Sequence, residues 1–224
     1  MDLGGEADLA PVVVSATRTE TPVSEVSRSV TRIDRETLDE QSKIERNPGD
    51  ILGKEVPGFS PGTNALSSFG QTLRGRNFLT LIDGVPQSTP LRSVSRDLNT
   101  FSVEAVERIE VVRGGTAAYG FGATGGLVNV ITRRPDEGAF NAESEASVGL
   151  NTEHPDDSLR WDTNHSVSGR TGQFDYVLNG TFAVRNSFFD ADGDRIPPDP
   201  LGVQGGLGDT DEYNILGKAG YTFG

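Results

Sequence analysis

Three sets of residues in this 224-residue chain have the types and spacing to do chemistry. Gly120-Phe121-Gly122-Ala123-Thr124-Gly125 matches G-x-G-x-x-G, the glycine fingerprint of dinucleotide sites, and it follows a strand-like run. That fingerprint works only where it opens a helix whose N-terminus receives the pyrophosphate, whereas Leu127 to Thr132 reads as a strand. No nucleotide site is expected. Asp190-Ala191-Asp192-Gly193-Asp194 offers carboxylates of the kind calcium takes, yet an EF-hand loop needs its glycine sixth and a distant bidentate glutamate, and here the glycine comes fourth. It reads as a solvated loop turn. His154 and His165, the two histidines, lie too far apart for a helical zinc pair, and neither accompanies a nucleophile motif. With no cysteine there is no thiol nucleophile, thiolate metal site or disulfide framework. The expectation is a protein that is not an enzyme, with no metal site and no cofactor.

The elements that would carry these residues have two textures. From about residue 20 to 135 the chain reads as one α+β domain of short pieces. Ser29 to Gly58 is helical in pattern, in two pieces, the second starting with Asn47 as N-cap, Pro48 at the first helical position and Asp50 in the first turn. Leu52 and Val56 share a face of it, and Gly58 after Pro57 ends it. Thr72 to Gly75 and Leu79 to Ile82 are short strand candidates, the second closed by the Asp83-Gly84 turn signal. A further helix is expected over Val103 to Glu107, feeding a strand from Ile109 to Val112. Leu127 to Thr132 carries the signature of a buried strand.

After Pro135 the alternation becomes period two. Phe140, Ala142, Ser144, Ala146, Val148 and Leu150 share one face. So do Leu159, Trp161, Thr163, His165 and Val167, then Phe174, Tyr176, Leu178, Gly180, Phe182 and Val184, then Tyr213, Ile215, Gly217, Ala219, Tyr221 and Phe223. Thr171-Gly172-Gln173 is a short turn, whereas Asn186 to Thr210 is long and acidic. Short turns at one end, long loops at the other, and aromatics such as Trp161, Phe174, Tyr221 and Phe223 near the ends of the apolar face fit an outer-membrane barrel. A soluble antiparallel sheet with one face on a core alternates in the same way, and periodicity alone leaves both open.

Composition narrows the partners. Twenty Lys plus Arg against 33 Asp plus Glu give a net charge of −13, a field that repels phosphate backbones, so nucleic acid is excluded. No stretch approaches the roughly 18 to 20 consecutive apolar residues of a spanning helix, while barrel strands of about 9 to 11 alternating residues remain compatible with the hydropathy. The start, Met1 to Glu6, shows no basic region leading into an apolar core. As written there is no secretory signal, which fits a protein that stays inside or a processed or truncated piece.

One ordered set of motifs is specific. Leu73-Arg74-Gly75, Leu81-Ile82-Asp83-Gly84-Val85-Pro86, Val106-Glu107-Arg108-Ile109-Glu110-Val111-Val112-Arg113-Gly114, Tyr119-Gly120 and Gly125-Gly126-Leu127-Val128-Asn129-Val130-Ile131-Thr132 resemble, in order and spacing, the plug motifs of TonB-dependent outer-membrane receptors of the siderophore-receptor kind. The resemblance spans roughly Val12 to Pro135, and the alternating strands beyond it look like the start of the family's barrel. Gly115 stands where members often carry a proline. Such barrels have about 22 strands around a plugged lumen, and this chain has room for only about four, so the similarity is to the N-terminal portion of a receptor.

The resemblance implies an α+β plug domain followed by antiparallel β-strands of an incomplete transmembrane β-barrel. Residues 1–19 would be an extension with a TonB-box-like segment, 20–138 the plug, and 139–224 the first barrel strands. It implies import of a ferric siderophore or similar chelate through the cell outer membrane, with the plug as gate. The implied partners are the TonB protein on the periplasmic side, the ferric chelate and outer-membrane lipid. Val12-Val13-Val14-Ser15-Ala16 resembles the short box captured by TonB, where strand addition uses main-chain hydrogen bonds. Arg74, Arg76 and Arg113 in the plug and Glu143 and Glu145 facing the lumen are the expected plug–barrel contacts, and exposed pairs worth about 0 to 1 kcal/mol each suit a plug that must release. Equally, the arginines could serve to keep the plug soluble. Ligand contacts would fall in Asn64 to Phe69, Gln87 to Arg92 and Phe189 to Asp194. The competing reading is a non-transporting, plug-like periplasmic binding module with an appended open sheet.

Overall fold

In a computed structural model of the chain, the described residues are 13–14, 21–22, 29–62, 68, 70–87, 97–117, 119, 122–136, 138–196 and 209–223. The first part contains β1 (Val13–Val14), β2 (Thr21–Pro22), β3 (Val30–Asp34), α1 (Arg35–Ser42), α2 (Pro48–Glu55), β4 (Phe78–Ile82), β5 (Val85–Pro86), β6 (Val106–Arg113) and β7 (Gly126–Thr132). The second contains β8 (Asn141–Gly149), the short α3 (Pro155–Ser158), β9 (Arg160–Thr171), β10 (Phe174–Arg185) and β11 (Thr210–Tyr221).

Every residue of β7 is buried, because a continuous run of branched apolar side chains demands cover on both faces. It sits inside a five-stranded sheet of order β3-β6-β7-β4-β5, parallel to β4 and antiparallel to β6. One face holds the main core, where Ile33, Phe78, Ile109, Val128 and Val130 meet Leu38 of α1 and Ile51 and Leu52 of α2. The other face carries a smaller cluster of Leu79, Leu81, Val112, Ala123 and Leu127. Helix α2 starts as its sequence dictates: Asn47 Oδ1 accepts the Gly49 N–H at 2.8 Å and Pro48 occupies the first turn.

Three expectations for this part are corrected. The first helical piece does not begin at Ser29, since Val30–Asp34 forms an edge strand on β6 and only Arg35–Ser42 is helical. Val30 and Ile33 suit a pleated surface, and pairing with β6 outweighs local helix propensity. Thr72 to Gly75 is a tight turn rather than a strand, with Arg74 at φ 55° and Gly75 at φ 70°, leaving Leu73 only isolated bridges to Phe59 and Arg76. The helix over Val103 to Glu107 shrinks to a single 3₁₀ turn, Val103–Ala105, because β6 claims the chain from Val106.

The four long strands form an antiparallel meander of order β11-β10-β9-β8. Registers align the apolar set across the sheet: Val148 faces Trp161, Trp161 faces Val184, Val167 faces Leu178, and Leu178 faces Gly217. That face points away from the globule, with Ile215 83% exposed and Leu178, Val148 and Tyr213 also open. The opposite face is polar and lies against the globule, where Asn164, Ser166, Ser168 and Asn179 are buried, Asn179 to 1%. The sheet thus turns its polar side inward and its apolar side out.

Candidate functional site

The seam between the globule and this polar sheet face is where charged groups converge. Arg46, immediately before the cap of α2, reaches across it. Its Nη1 lies 2.9 Å from Glu104 Oε1 within the globule, its Nη2 2.7 Å from Glu145 Oε1 on β8, and Nη1 again 2.5 Å from Asp162 Oδ2 on β9. The Asp162 contact is a charge contact without hydrogen-bond alignment. Ser102 Oγ donates to the second Glu104 oxygen, and Ser147 Oγ donates to Asp162 Oδ1 at 2.5 Å. One cation is thereby shared among three carboxylates drawn from both sides of the seam.

A second crossing lies at the Asp83-Gly84 turn. Both residues adopt left-handed backbone, φ 47° and 81°, and the Gly84 N–H donates to Asn129 Oδ1 at 3.0 Å. Asp83 accepts from the Thr132 N–H at 3.0 Å and its hydroxyl at 2.6 Å, while Lys218 Nζ of β11 stands 3.1 Å away. Burial pushes the Asp83 carboxyl up, but the two Thr132 bonds and Lys218 outweigh it and hold it below its ordinary value. Arg133 adds a third link, both terminal nitrogens lying 3.1 Å from Glu143 Oε2. Polar bonds fill the seam between these pairs: Ser168 Oγ to Asp136 at 2.6 Å, Thr181 to Ser102 at 3.0 Å, and Asn179 to Asn164 at 2.8 Å. On α2, burial and the neighbouring Glu45 raise the Asp50 carboxyl despite Lys54, the Gly62 N–H and Arg185.

Of the anticipated contact residues, Glu143 and Glu145 stand at the seam, and their partners are Arg133 and Arg46. Arg74 donates its backbone N–H to Gly58 at 2.6 Å, the Arg76 carbonyl accepts from Leu73, and Arg113 Nη1 lies 3.5 Å from the Pro57 carbonyl. Among the described residues no carboxylate forms an ion pair with Arg74, Arg76 or Arg113. Val13 and Val14 are extended and pair with Pro22 and Thr21, while Val12, Ser15 and Ala16 lie outside the described residues. Of the proposed ligand segments only Ser68, Gln87 and 189–194 are described. In the last, Asp190 Oδ1 accepts the N–H groups of Asp192 and Asp194 at 2.9 Å each, a turn held by its own backbone. After Gly125 comes β7 and no helix, which removes the dinucleotide geometry.

Arg46, Asp162 and Lys218 escaped the sequence reading. Asp162 and Lys218 carried a usable signal, as charges on the polar face of otherwise regular strands. Arg46 carried none, being one more polar residue in a helix–helix connection.

Residues 22–127 match the family model described as TonB-dependent Receptor Plug Domain. The chain is 32% identical over 192 residues to the Rhizobactin receptor of Rhizobium meliloti (strain 1021), covering 79% of this chain and 26% of that protein. It is 28% identical over 215 residues to the Ferric aerobactin receptor of Klebsiella pneumoniae, covering 95% of this chain and 28% of that protein. The chain thus spans about a quarter of the length of these curated relatives. Among solved structures it is similar to the ferric enterobactin receptor PfeA, with TM-score 0.64 at 24% identity, covering 87% of this chain and 31% of that one. The siderophore receptor PirA from Pseudomonas aeruginosa matches with TM-score 0.56 at 25% identity, covering 86% of this chain and 30% of that one.

Proposed function

The chain belongs to the TonB-dependent receptors, as a plug domain followed by antiparallel barrel strands, and on that premise we propose that it serves outer-membrane import of a ferric siderophore or similar chelate, with the plug gating the lumen. The inverted polarity of the four-stranded sheet carries the proposal. Val148, Trp161, Phe174, Leu178, Tyr213, Ile215 and Tyr221 are large apolar side chains left open on one face. At about 1.5 to 3 kcal/mol for removing each from water, their transfer is worth on the order of 10 kcal/mol, as much as the net stability of an ordinary domain. Hydrocarbon supplies that transfer, and the globule does not, since it covers the polar face.

The aromatics support the same placement. Trp161, Phe182 and Tyr213 form a row across three strands with ring centroids 5.0 and 4.8 Å apart, at the long-loop end. Phe174 and Tyr221 face each other across the turn end. The eight steps of β10 between Phe174 and Phe182 span about 27 Å of strand, or about 20 Å along the membrane normal at a tilt near 40°. That separation fits two girdles bounding a hydrocarbon layer.

The relatives named for rhizobactin and ferric aerobactin support a ferric siderophore as the cargo class. Capture of Val12 to Ala16 by TonB would deliver the energy, and Val13–Val14 is already extended, as strand addition requires. The seam suits a gate because most of its links are polar contacts that water can replace. The test is radiolabelled iron uptake by an iron-starved strain lacking its own siderophore receptors and carrying the complete receptor gene, supplied with rhizobactin or aerobactin chelates. Uptake that depends on a functional TonB is expected. Uptake that is absent for every chelate, or unchanged when TonB is deleted, contradicts the proposal.

A further inference from the structure

The geometry points to a pocket for a carboxylate-bearing anion at the long-loop end of the seam, with Arg160 as its principal donor and Lys43 as its second cation. A cavity of about 300 Å³ lies there between the α1–α2 connection and the ends of β8, β9 and β10. Its acidic neighbours are already committed. Glu145 and Asp162 are held by Arg46, and Glu45 Oε1 accepts the Asn47 N–H at 3.0 Å. Arg185 stands 3.5 Å from Glu212. Arg160 and Lys43, also on the cavity wall, have no carboxylate partner among the described residues.

Arg160 is nevertheless held in place. Its guanidinium carbon sits 5.6 Å over the Phe188 ring, a cation–π contact that leaves the in-plane N–H donors free. Gly149, its register partner on β8, makes the room: a Cβ there would stand 2.7 Å from Arg160 Nε. A fixed, planar fork with unused donors matches a carboxylate bidentately, which a flexible lysine cannot do alone. At roughly 30 Å³ per water-sized group, the cavity takes about ten non-hydrogen atoms, which suits a small dicarboxylate or the carboxylate arm of a larger chelate.

The free anion and the chelate arm share one chemistry, and only the second rests on the import proposal. The test is calorimetry on the complete receptor in detergent, titrated with succinate, with an iron(III) chelate bearing a free carboxylate, and with the same chelate amidated. Arg160→Met should weaken succinate binding about tenfold or more, and Gly149→Ala, which keeps the charge but displaces the fork, should do the same. If the pocket serves the chelate, Arg160→Met also weakens the carboxylate chelate and leaves its amide unchanged. If it takes only the free anion, the two chelates respond alike while succinate binding is still lost. Binding of succinate and of both chelates that is indifferent to Arg160→Met, Lys43→Met and Gly149→Ala overturns the pocket, whether or not iron uptake succeeds. Arg160-dependent succinate binding in a receptor that imports no chelate would leave the pocket standing and remove the import proposal alone.

Discussion

Replacing Arg46 by methionine keeps most of the side-chain volume and removes the one cation that Glu104, Glu145 and Asp162 share. The cost can be worked from burial. The Arg46 and Asp162 side chains are each 14% exposed, so their pair across the seam is effectively buried, and stripping one partner from such a pair costs about 3 to 5 kcal/mol because the remaining charge is uncompensated. Asp162 then faces Glu104 with no cation between them, which adds repulsion across the seam. Glu145 is 40% exposed, so its own link to Arg46 is worth about 1 kcal/mol or less. Arg46→Met should therefore raise the undocked fraction of the plug by about a hundredfold or more, whereas Glu145→Gln should change it less than tenfold. Entry of a large hydrophilic antibiotic through the complete receptor reads the undocked fraction, and hydrogen exchange of the β8 and β9 amides reads the loosened seam. Adding Glu104→Gln to Arg46→Met should recover part of the closure, since it removes the repulsion between Glu104 and Asp162. If Arg46→Met leaks no more than Glu145→Gln, the claim that this arginine holds the seam is wrong.

Other outcomes follow from the same geometry. If Val12 to Ala16 is the segment that TonB captures, Val13→Pro removes a backbone donor from it, so TonB-dependent uptake should vanish while chelate binding to the purified receptor stays intact; unchanged uptake would contradict that assignment. Leu178→Arg puts a charge in the middle of the open apolar face and should destabilise the receptor folded in vesicles by about 2 to 4 kcal/mol in urea titration, a penalty that would be missing if the face met water. The lowered Asp83 carboxyl contributes stability that is full above its ordinary value of 3.8 and is lost as pH falls through the lowered one, so Asp83→Asn should flatten the acid limb of a melting-temperature profile. The raised Asp50 carboxyl has the opposite sign: its contribution is full below 3.8 and lost as pH rises through the raised value, so Asp50→Asn should melt higher than wild type at neutral pH.

The sheet was legible in the sequence because side-chain direction in a strand depends only on residue parity. Phe174, Leu178 and Phe182 share a face whatever surrounds them. Parity does not say which face meets the globule, and that question had to be answered by the partners of Asn164, Asn179 and Ser166. The α2 start was legible for a similar reason, since Asn47 and Pro48 act within one turn. What could not be read was long-range. Arg46 is 58 residues from Glu104 and 99 from Glu145, and nothing local distinguishes it from Lys43 or Arg35. The strand at Val30–Asp34 was misread because its five residues become a strand only when β6 lies beside them. Arg74 and Arg113 attracted notice through their glycine neighbours, and Gly75 and Gly114 adopt the left-handed backbone of tight turns, φ 70° and 105°.

The central claim, that the open face of the four-stranded sheet meets hydrocarbon while its polar face meets the plug, is tested most directly by nitroxide labels placed one at a time on the complete receptor in lipid vesicles. Positions Val167, Leu178 and Ile215 sample one face, and Asn214 and Leu216 the other. The account predicts that relaxation of the first three is enhanced by oxygen, which concentrates in lipid, and hardly affected by a water-soluble nickel chelate, while the last two show neither strong oxygen access nor the same depth dependence. Strong nickel access at Leu178 and Ile215, or oxygen access at both faces alike, would contradict it.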